Sequence, residues 1–129
     1  MTVRQLLLVC VGAMVMVSAV GCAPKIISSE AGVYQGGTMY AVSSKDMDSV
    51  YQATLQAMDK LELKVTDKMK DVFSAKIIAK SADGKMIVVE IKPAENKETR
   101  YSIRVGTLGD EERSQKIYSE ISNALAAKK

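Results

Sequence analysis

The chain of 129 residues has no histidine and no tryptophan, and its only phenylalanine is Phe73. Histidine is the commonest protein metal ligand and the usual general base near neutral pH. Phosphate-binding loops and dinucleotide fingerprints are also absent from the sequence. We therefore expect a protein that is not an enzyme and that uses no cofactor and no metal ion.

Cysteine is scarce as well, with only Cys10 and Cys22 in the chain. Cys10 lies inside an apolar run that we expect to be cleaved off as part of a signal peptide. We therefore expect no disulfide bond between Cys10 and Cys22. The formal net charge is only +3. A nucleic-acid-binding domain is usually much more basic, so we expect no nucleic acid partner.

Residues 1–21 have the order of a secretory signal peptide. Arg4 supplies the positive charge, residues 6–17 are apolar, and small residues follow. This run is shorter than the roughly 20 residues of a membrane-spanning helix. Ala19-Val20-Gly21-Cys22 resembles the bacterial lipobox, although Ala19 stands where leucine is usual. We expect Cys22 to accept a diacylglyceryl group and further acyl chains such as palmitate. The alternatives are a plain signal peptide or an uncleaved anchor.

The residues after Cys22 predict a cellular location and a flexible tether. Ala23 occupies the place where aspartate tends to retain lipoproteins in the inner membrane of Gram-negative envelopes. We therefore expect the outer membrane, with the protein facing the periplasm. Glycine, serine and proline are frequent up to Gly37, so residues 22–37 are interpreted as a flexible tether and residues 38–129 as the domain.

Within the domain, hydrophobic spacing predicts two helices and about four strands. Apolar residues three and four apart predict helices over 47–61 and 110–127, the first capped by Ser43 or Ser44. Alternation predicts strands over 38–44, 73–80, 87–92 and 99–105. The strand over 73–80 includes Phe73 in its apolar set and extends a piece that starts near Glu62, with a break between Asp67 and Asp71.

The register of one hairpin can be derived. A two-residue Asp83-Gly84 loop would mix the apolar and polar faces, whereas a three-residue loop over 82–84 pairs the apolar sets. We prefer the second, which places Ile77 opposite Val89. The fold class is α+β, in the order β-α-β-β-β-α, with an antiparallel sheet packed on two helices.

Three segments stand out beyond their hydrophobic spacing: 34–41, 50–58 and 103–111, the last followed by Ser114 and Ile117. Together they resemble a family of small bacterial lipoproteins of uncharacterised function. The most specific part is Arg104-Val105-Gly106-Thr107-Leu108-Gly109-Asp110-Glu111. The resemblance covers nearly the whole chain after the signal peptide. It implies the same fold and an envelope address, and it implies no activity.

Two features are candidate sites. Gly106, Gly109 and Asp110 form a glycine loop before the second helix, where backbone N–H groups could bind an anion. The structural alternative is a loop that needs glycine dihedral angles, with Asp110 as the helix cap. The second feature is the open face of the sheet, where a set of cations is expected to lie: Lys76, Lys80, Lys92, Arg100 and Arg104. This face is either simply solvated or contacts anionic lipid or an acidic envelope protein.

The leading hypothesis is a lipid-anchored, non-catalytic binding or structural module in the periplasm. The alternative is a carrier of a small ligand or lipid headgroup that uses the sheet face or a cavity between sheet and helices. A closed core would favour the first hypothesis and an apolar cavity would favour the second.

Overall fold

The computed structural model describes residues 32–127, which form six strands, two α-helices and a 3-10 helix over Glu95–Lys97. The strands are β1 (Val33–Gln35), β2 (Thr38–Ser43), β3 (Lys64–Lys70), β4 (Ala75–Lys80), β5 (Met86–Pro93) and β6 (Thr99–Val105), and the helices are α1 (Met47–Lys60) and α2 (Glu111–Ala127). One antiparallel sheet contains all six strands in the order β1-β2-β6-β5-β4-β3. The α+β class with an antiparallel sheet and two helices is confirmed.

The number of strands was underestimated, because the sheet has six strands rather than about four. β1 lies within residues 22–37, which the sequence assigned to a tether, and it pairs with β2. The long second strand is in fact a hairpin, with β3 and β4 joined by a turn over 71–74. Phe73 lies in that turn and is 82% exposed, so its assignment to the buried face of a strand was wrong.

The core lies between one face of the sheet and both helices. Alternate strand residues point to this face, as the period of two requires. The largest fully buried strand side chains are Ile77, Ile87, Val89, Ile91, Ile103 and Val105. α1 covers β3, β4 and β5, and α2 covers β2 and β6. The other face of the sheet has no helix over it among residues 32–127, and it is called the open face below.

The β4–β5 hairpin has the register derived from the sequence. Ala75, Ile77 and Ala79 lie opposite Ile91, Val89 and Ile87. The loop is closed by Gly84, whose φ of +88° is in the left-handed region and whose N–H donates to the carbonyl oxygen of Ser81. This is the three-residue loop with a left-handed glycine, and it keeps the apolar sets of both strands on the core face.

Local side-chain chemistry sets the helix ends. Asp46 caps α1 by accepting a hydrogen bond from the Ser49 N–H, so the expected cap at Ser43 or Ser44 was wrong. The Ser43 hydroxyl instead accepts from the Lys45 N–H. α1 ends in a Schellman arrangement, in which Glu62 has a φ of +56° and the Leu63 N–H donates to the Met58 carbonyl.

Both edges of the sheet are protected against pairing with another chain. β3 is rich in lysine and contains a bulge between Val65 and Asp67, and β1 has only three residues. Short, charged or bulged edges are poor templates for a further strand. The open face is therefore a better surface for contacts than either edge.

Candidate functional site

The open face brings the predicted cations together. Side chains of residues that pair across antiparallel strands lie on the same face. One row across the sheet contains Tyr40, Ser102, Glu90, Lys76 and Met69. The cations on this face are Lys76, Lys80, Lys92, Arg100 and Arg104, as expected, together with Lys64. The only acids among its described residues are Glu90 and Asp67.

Two pairs of like charge lie directly opposite each other on this face. Lys92 pairs with Arg100 across β5 and β6, and Lys64 pairs with Lys80 across β3 and β4. Opposed like charges destabilise a sheet. Sequence analysis missed Lys64, because the bulge at Thr66 shifts the alternation that would have placed it.

The open face has an excess of positive charge that the domain as a whole does not have. Residues 32–127 contain 14 basic and 14 acidic side chains, so this part of the chain is formally neutral. The cations are therefore concentrated on the open face, and the other surfaces carry a matching excess of acid. Of the open-face cations, Lys76 has an ion pair, with Nζ 3.6 Å from the Glu90 carboxylate.

Apolar side chains separate these cations. Ile78 and Val88 pair with each other near the centre of the face and are half-buried. Tyr40 is 47% exposed and Met86 is 57% exposed. The face therefore combines cationic and apolar groups, which is more typical of a contact surface than of a purely solvated one.

Arg104 has a structural role within this set. Its Nη1 donates to the Thr38 hydroxyl at 3.1 Å and to the Gly36 carbonyl at 3.3 Å, and its Nη2 donates to the Thr107 carbonyl at 2.6 Å. The guanidinium thereby joins the β1–β2 turn to the loop that precedes α2. Its hydrogen-bonding capacity is largely used inside the protein.

The glycine loop packs against the same turn. Gly106 and Gly109 have φ values of +71° and +88°, which glycine adopts readily. A Cβ on Gly109 would collide with the backbone of Gly37 and would lie 2.7 Å from the Tyr34 hydroxyl. The loop thus has glycine for conformational and packing reasons, as the structural alternative requires.

Asp110 caps α2 and belongs to a polar cluster with the β4–β5 turn. Its Oδ1 accepts from the Arg113 N–H at 3.1 Å, and its Oδ2 lies 3.2 Å from Lys85 Nζ. Arg113 Nη2 lies 2.7 Å from Asp83 Oδ2, and the Ser81 hydroxyl also donates to Asp83. The carboxylate of Asp110 and the two glutamates that follow it lie at the positive end of α2, where they disfavour a second anion.

These contacts lower the pKa of both aspartates. The Arg113 guanidinium, and then the Ser81 hydroxyl, hold the pKa of Asp83 far below its usual value. The Arg113 backbone N–H, and then the Lys85 ammonium, lower the pKa of Asp110. In each case the hydrogen bonds favour the charged form of the carboxyl group.

A cleft of about 340 Å³ opens beside this cluster, between the end of α1, the β4–β5 turn and the start of α2. Its apolar lining includes Leu61, Leu63, Ile87 and Ile117, and its charged lining includes Glu62, Asp83, Arg113 and Lys116. This volume is near the lower limit for small-molecule sites. The cleft is open to solvent, so it is a surface recess and not an enclosed cavity.

Some of the predicted features fall outside residues 32–127. Cys22, the predicted acyl acceptor, and the predicted signal peptide lie outside the described residues. Neither α1 nor α2 is long and apolar enough to cross a membrane. Between Gly32 and Ala127, no group of three acidic, histidine or cysteine side chains is placed to hold a metal ion.

Comparison with known proteins gives a family and no function. A search of curated proteins finds no match to the chain. One family model matches residues 5–124, which include most of the apolar N-terminal segment and nearly all of the described domain. The segments that contact each other around Arg104 and Gly109 lie within this match. The chain belongs to this family, whose description is "Protein of unknown function (DUF3568)".

Proposed function

We propose that the protein is a lipoprotein of the bacterial cell envelope, anchored through acyl chains on Cys22, and that its domain is a non-catalytic binding module. The order of charge, apolar run and small residues before Cys22 supports the anchor. Two or three acyl chains on one residue give stable membrane attachment, at about 0.8 kcal/mol per buried methylene. The family match begins at residue 5, so the apolar segment is part of the family pattern.

The proposed location is the outer membrane, with the domain in the periplasm. Support comes from Ala23, which stands directly after the proposed acylated cysteine in place of an inner-membrane retention signal. The domain's first strand starts at Val33, so only residues 23–32 separate it from Cys22. At about 3.5 Å per residue, ten residues reach at most about 35 Å. The domain would therefore work close to the membrane surface.

The proposed partner is an anionic membrane surface that contacts the open face. The observation that carries this proposal is the pairing of Lys92 with Arg100 and of Lys64 with Lys80. An array of like charges costs stability unless an anion neutralises it. Near an anionic membrane, each Lys or Arg contributes about 1 kcal/mol of attraction. The surrounding apolar side chains, including Tyr40 and Val88, would contact the apolar part of the lipid interface.

The test uses the Cys22→Ala chain without its signal peptide, mixed with phosphatidylcholine vesicles that contain or lack phosphatidylglycerol. Sedimentation with the anionic vesicles should be clear and should fall as salt is raised, because exposed charges are screened. A Lys80→Gln/Lys92→Gln double variant should sediment less, whereas Lys60→Gln on α1 should not. Equal sedimentation with neutral and anionic vesicles would reject the lipid surface. An acidic envelope protein captured by open-face crosslinking would then replace it as the partner.

A second candidate function is binding of a small amphipathic ligand in the cleft beside α2. The observation that favours it is the contrast between an apolar floor, with Ile87 and Ile117, and a charged rim that includes Arg113 and Lys116. Titration with short-chain fatty acids, followed by the methyl resonances of these isoleucines, tests it. Shifts confined to the cleft and lost in an Ile117→Phe variant would support a carrier. No shift at millimolar ligand would exclude these ligands.

A further inference from the structure

Two adjacent apolar side chains project into solvent from the β3–β4 turn. Val72 is 81% exposed and Phe73 is 82% exposed. Phe73 is the only phenylalanine of the chain, and the core contains no phenylalanine or tryptophan. Apolar residues are normally exposed singly, whereas here two stand together at the corner of the domain.

The turn that carries these side chains is well defined. The Asp71 N–H donates to the Ser74 carbonyl at 2.9 Å, and one oxygen of the Asp71 carboxylate accepts from the N–H groups of Phe73 at 2.7 Å and Ser74 at 2.9 Å. An aspartate that binds the N–H two residues ahead fixes a turn locally. Val72 and Phe73 are therefore presented by a fixed turn, and the Asp71 charge is directed toward the backbone.

The surroundings of the turn are apolar and of mixed charge. Met69 is 58% exposed and lies on the open face, on the strand that leads into the turn. Lys76 and Lys92 line the surface groove next to Met69 and Ser74, together with Asp71 and Glu90. On the other side, Val72 lines a groove with Asp46, Asp48 and Lys70, and Lys70 pairs with Asp48. The cations that suit an anionic surface therefore lie on the open-face side of this apolar projection.

We propose that the turn formed by Asp71, Val72, Phe73 and Ser74 inserts the side chains of Val72 and Phe73 into the surface of an anionic bilayer while the open face lies on the headgroups. The proposal rests on the proposed membrane contact of the open face, and it adds the depth and the residues of insertion. The turn is convex and offers only two large side chains. A protein partner would need an interface of about 1,000 Å² or more, whereas a bilayer can take up a small projection.

The geometry of the tether allows this orientation. The described residues begin at Gly32, next to β1 at one edge of the sheet. The β3–β4 turn lies at the opposite edge, which β3 forms. Five spacings of about 4.8 Å separate β1 from β3, or roughly 24 Å across the sheet. Residues 23–32 can reach about 35 Å from Cys22. An anchored domain can therefore bring Val72 and Phe73 to the bilayer that holds it.

The absence of tryptophan makes a clean fluorescence test possible. The full chain with Phe73→Trp is purified from membranes and reconstituted in vesicles of phosphatidylcholine and phosphatidylglycerol, some with brominated acyl chains. Gln56→Trp is the matched control, because Gln56 is exposed on α1, which covers the other face of the sheet. The proposal predicts blue-shifted emission and quenching by bromolipid for Phe73→Trp and neither for Gln56→Trp. Solvent-like emission from both variants, or a blue shift at residue 73 without quenching, would overturn it. The second result would indicate contact with another protein molecule.

A second series separates insertion from anchoring. The Cys22→Ala chain without its signal peptide, carrying Phe73→Trp, is added to the same vesicles. Blue-shifted, quenched emission here shows insertion without the anchor. If the Phe73→Trp chain with Cys22 intact is retained on membranes but its emission is solvent-like, the chain is anchored without insertion. This result contradicts the insertion proposal and leaves the proposed anchor standing. In the Cys22→Ala background, Phe73→Ser should lower vesicle partitioning at least about tenfold, whereas Gln56→Ser on α1 should leave it unchanged. An equal effect of both substitutions would also overturn the proposal.

Discussion

Gly37 and Gly109 lie in backbone contact, which joins the β1–β2 turn to the loop before α2. A Cβ on Gly37 would lie 2.7 Å from the Leu108 carbonyl oxygen, and a Cβ on Gly109 would collide with Gly37. These residues are separated widely in sequence, and both lie within the residues that the family model matches. The loop before α2 is therefore held in place by packing against the β1–β2 turn.

Substitution of Gly109 by alanine should strongly destabilise the domain. The Cβ would meet the Gly37 backbone, and the φ of +88° is costly for alanine. We expect a loss of about 3 kcal/mol in the free energy of unfolding, measured by urea titration. Gly36→Ala is the control, because Gly36 has a φ of +58° but no atom within 4 Å of its Cβ position. It should cost only about 1 kcal/mol. Equal losses would mean that the two loops do not pack as described.

Replacement of Arg104 by glutamine should separate the same two loops. The substitution removes the charged hydrogen bonds to Thr38, Gly36 and Thr107, and we expect a loss of about 1–2 kcal/mol. Hydrogen exchange should rise in β1 and in residues 106–109. Arg100→Gln, on the same strand and the same face, should change neither quantity by a comparable amount. If both variants behave alike, Arg104 is an ordinary surface cation.

The pairing of Asp83 with Arg113 should contribute to the stability of the domain near neutral pH and lose this contribution at acidic pH. The pKa of Asp83 is lower in the folded protein than in the unfolded chain, so its contribution is present above the unfolded value of about 3.9 and is lost as pH falls through the folded value. Asp83→Asn removes this contribution. The difference in Tm between parent and variant should be largest between about pH 5 and 7 and should shrink below about pH 4. A difference that is independent of pH would contradict the assignment.

Removal of one cation from a like-charged pair should stabilise the domain and weaken its membrane contact. Lys92→Gln relieves the repulsion with Arg100, and we expect a gain of about 0.2–1 kcal/mol at low salt that diminishes as salt is added. The same variant should bind anionic vesicles less. Lys116→Gln, on α2, is the control and should leave vesicle binding unchanged. A loss of stability in Lys92→Gln would show that the pair is not repulsive.

The sequence predicted the features that depend on pattern and missed those that depend on distant contacts. The pairing of Ile77 with Val89 followed from alternation and from Gly84, because both signals are local. β1 was missed, since three residues followed by two glycines carry no periodicity. Phe73 was placed on a buried face because it continues the alternation of β4, although Asp71 turns the chain there.

The candidate site shows the same division. Alternation placed the open-face cations together, because the period of two fixes the face of each residue. Their opposition as Lys92–Arg100 and Lys64–Lys80 depends on the register between strands and on the bulge in β3, which no local pattern encodes. The role of Arg104 depends on Gly36 and Thr38, which are more than 60 residues away in the chain.

Mass spectrometry of the N-terminal peptide from membrane-purified protein is the decisive test of the lipid anchor at Cys22. We expect a mature chain that begins at Cys22, with a diacylglyceryl group on the thiol and a further mass at the amine that corresponds to an acyl chain. A mature protein that retains Met1, or that begins at another residue with no lipid on Cys22, would rule out the anchor.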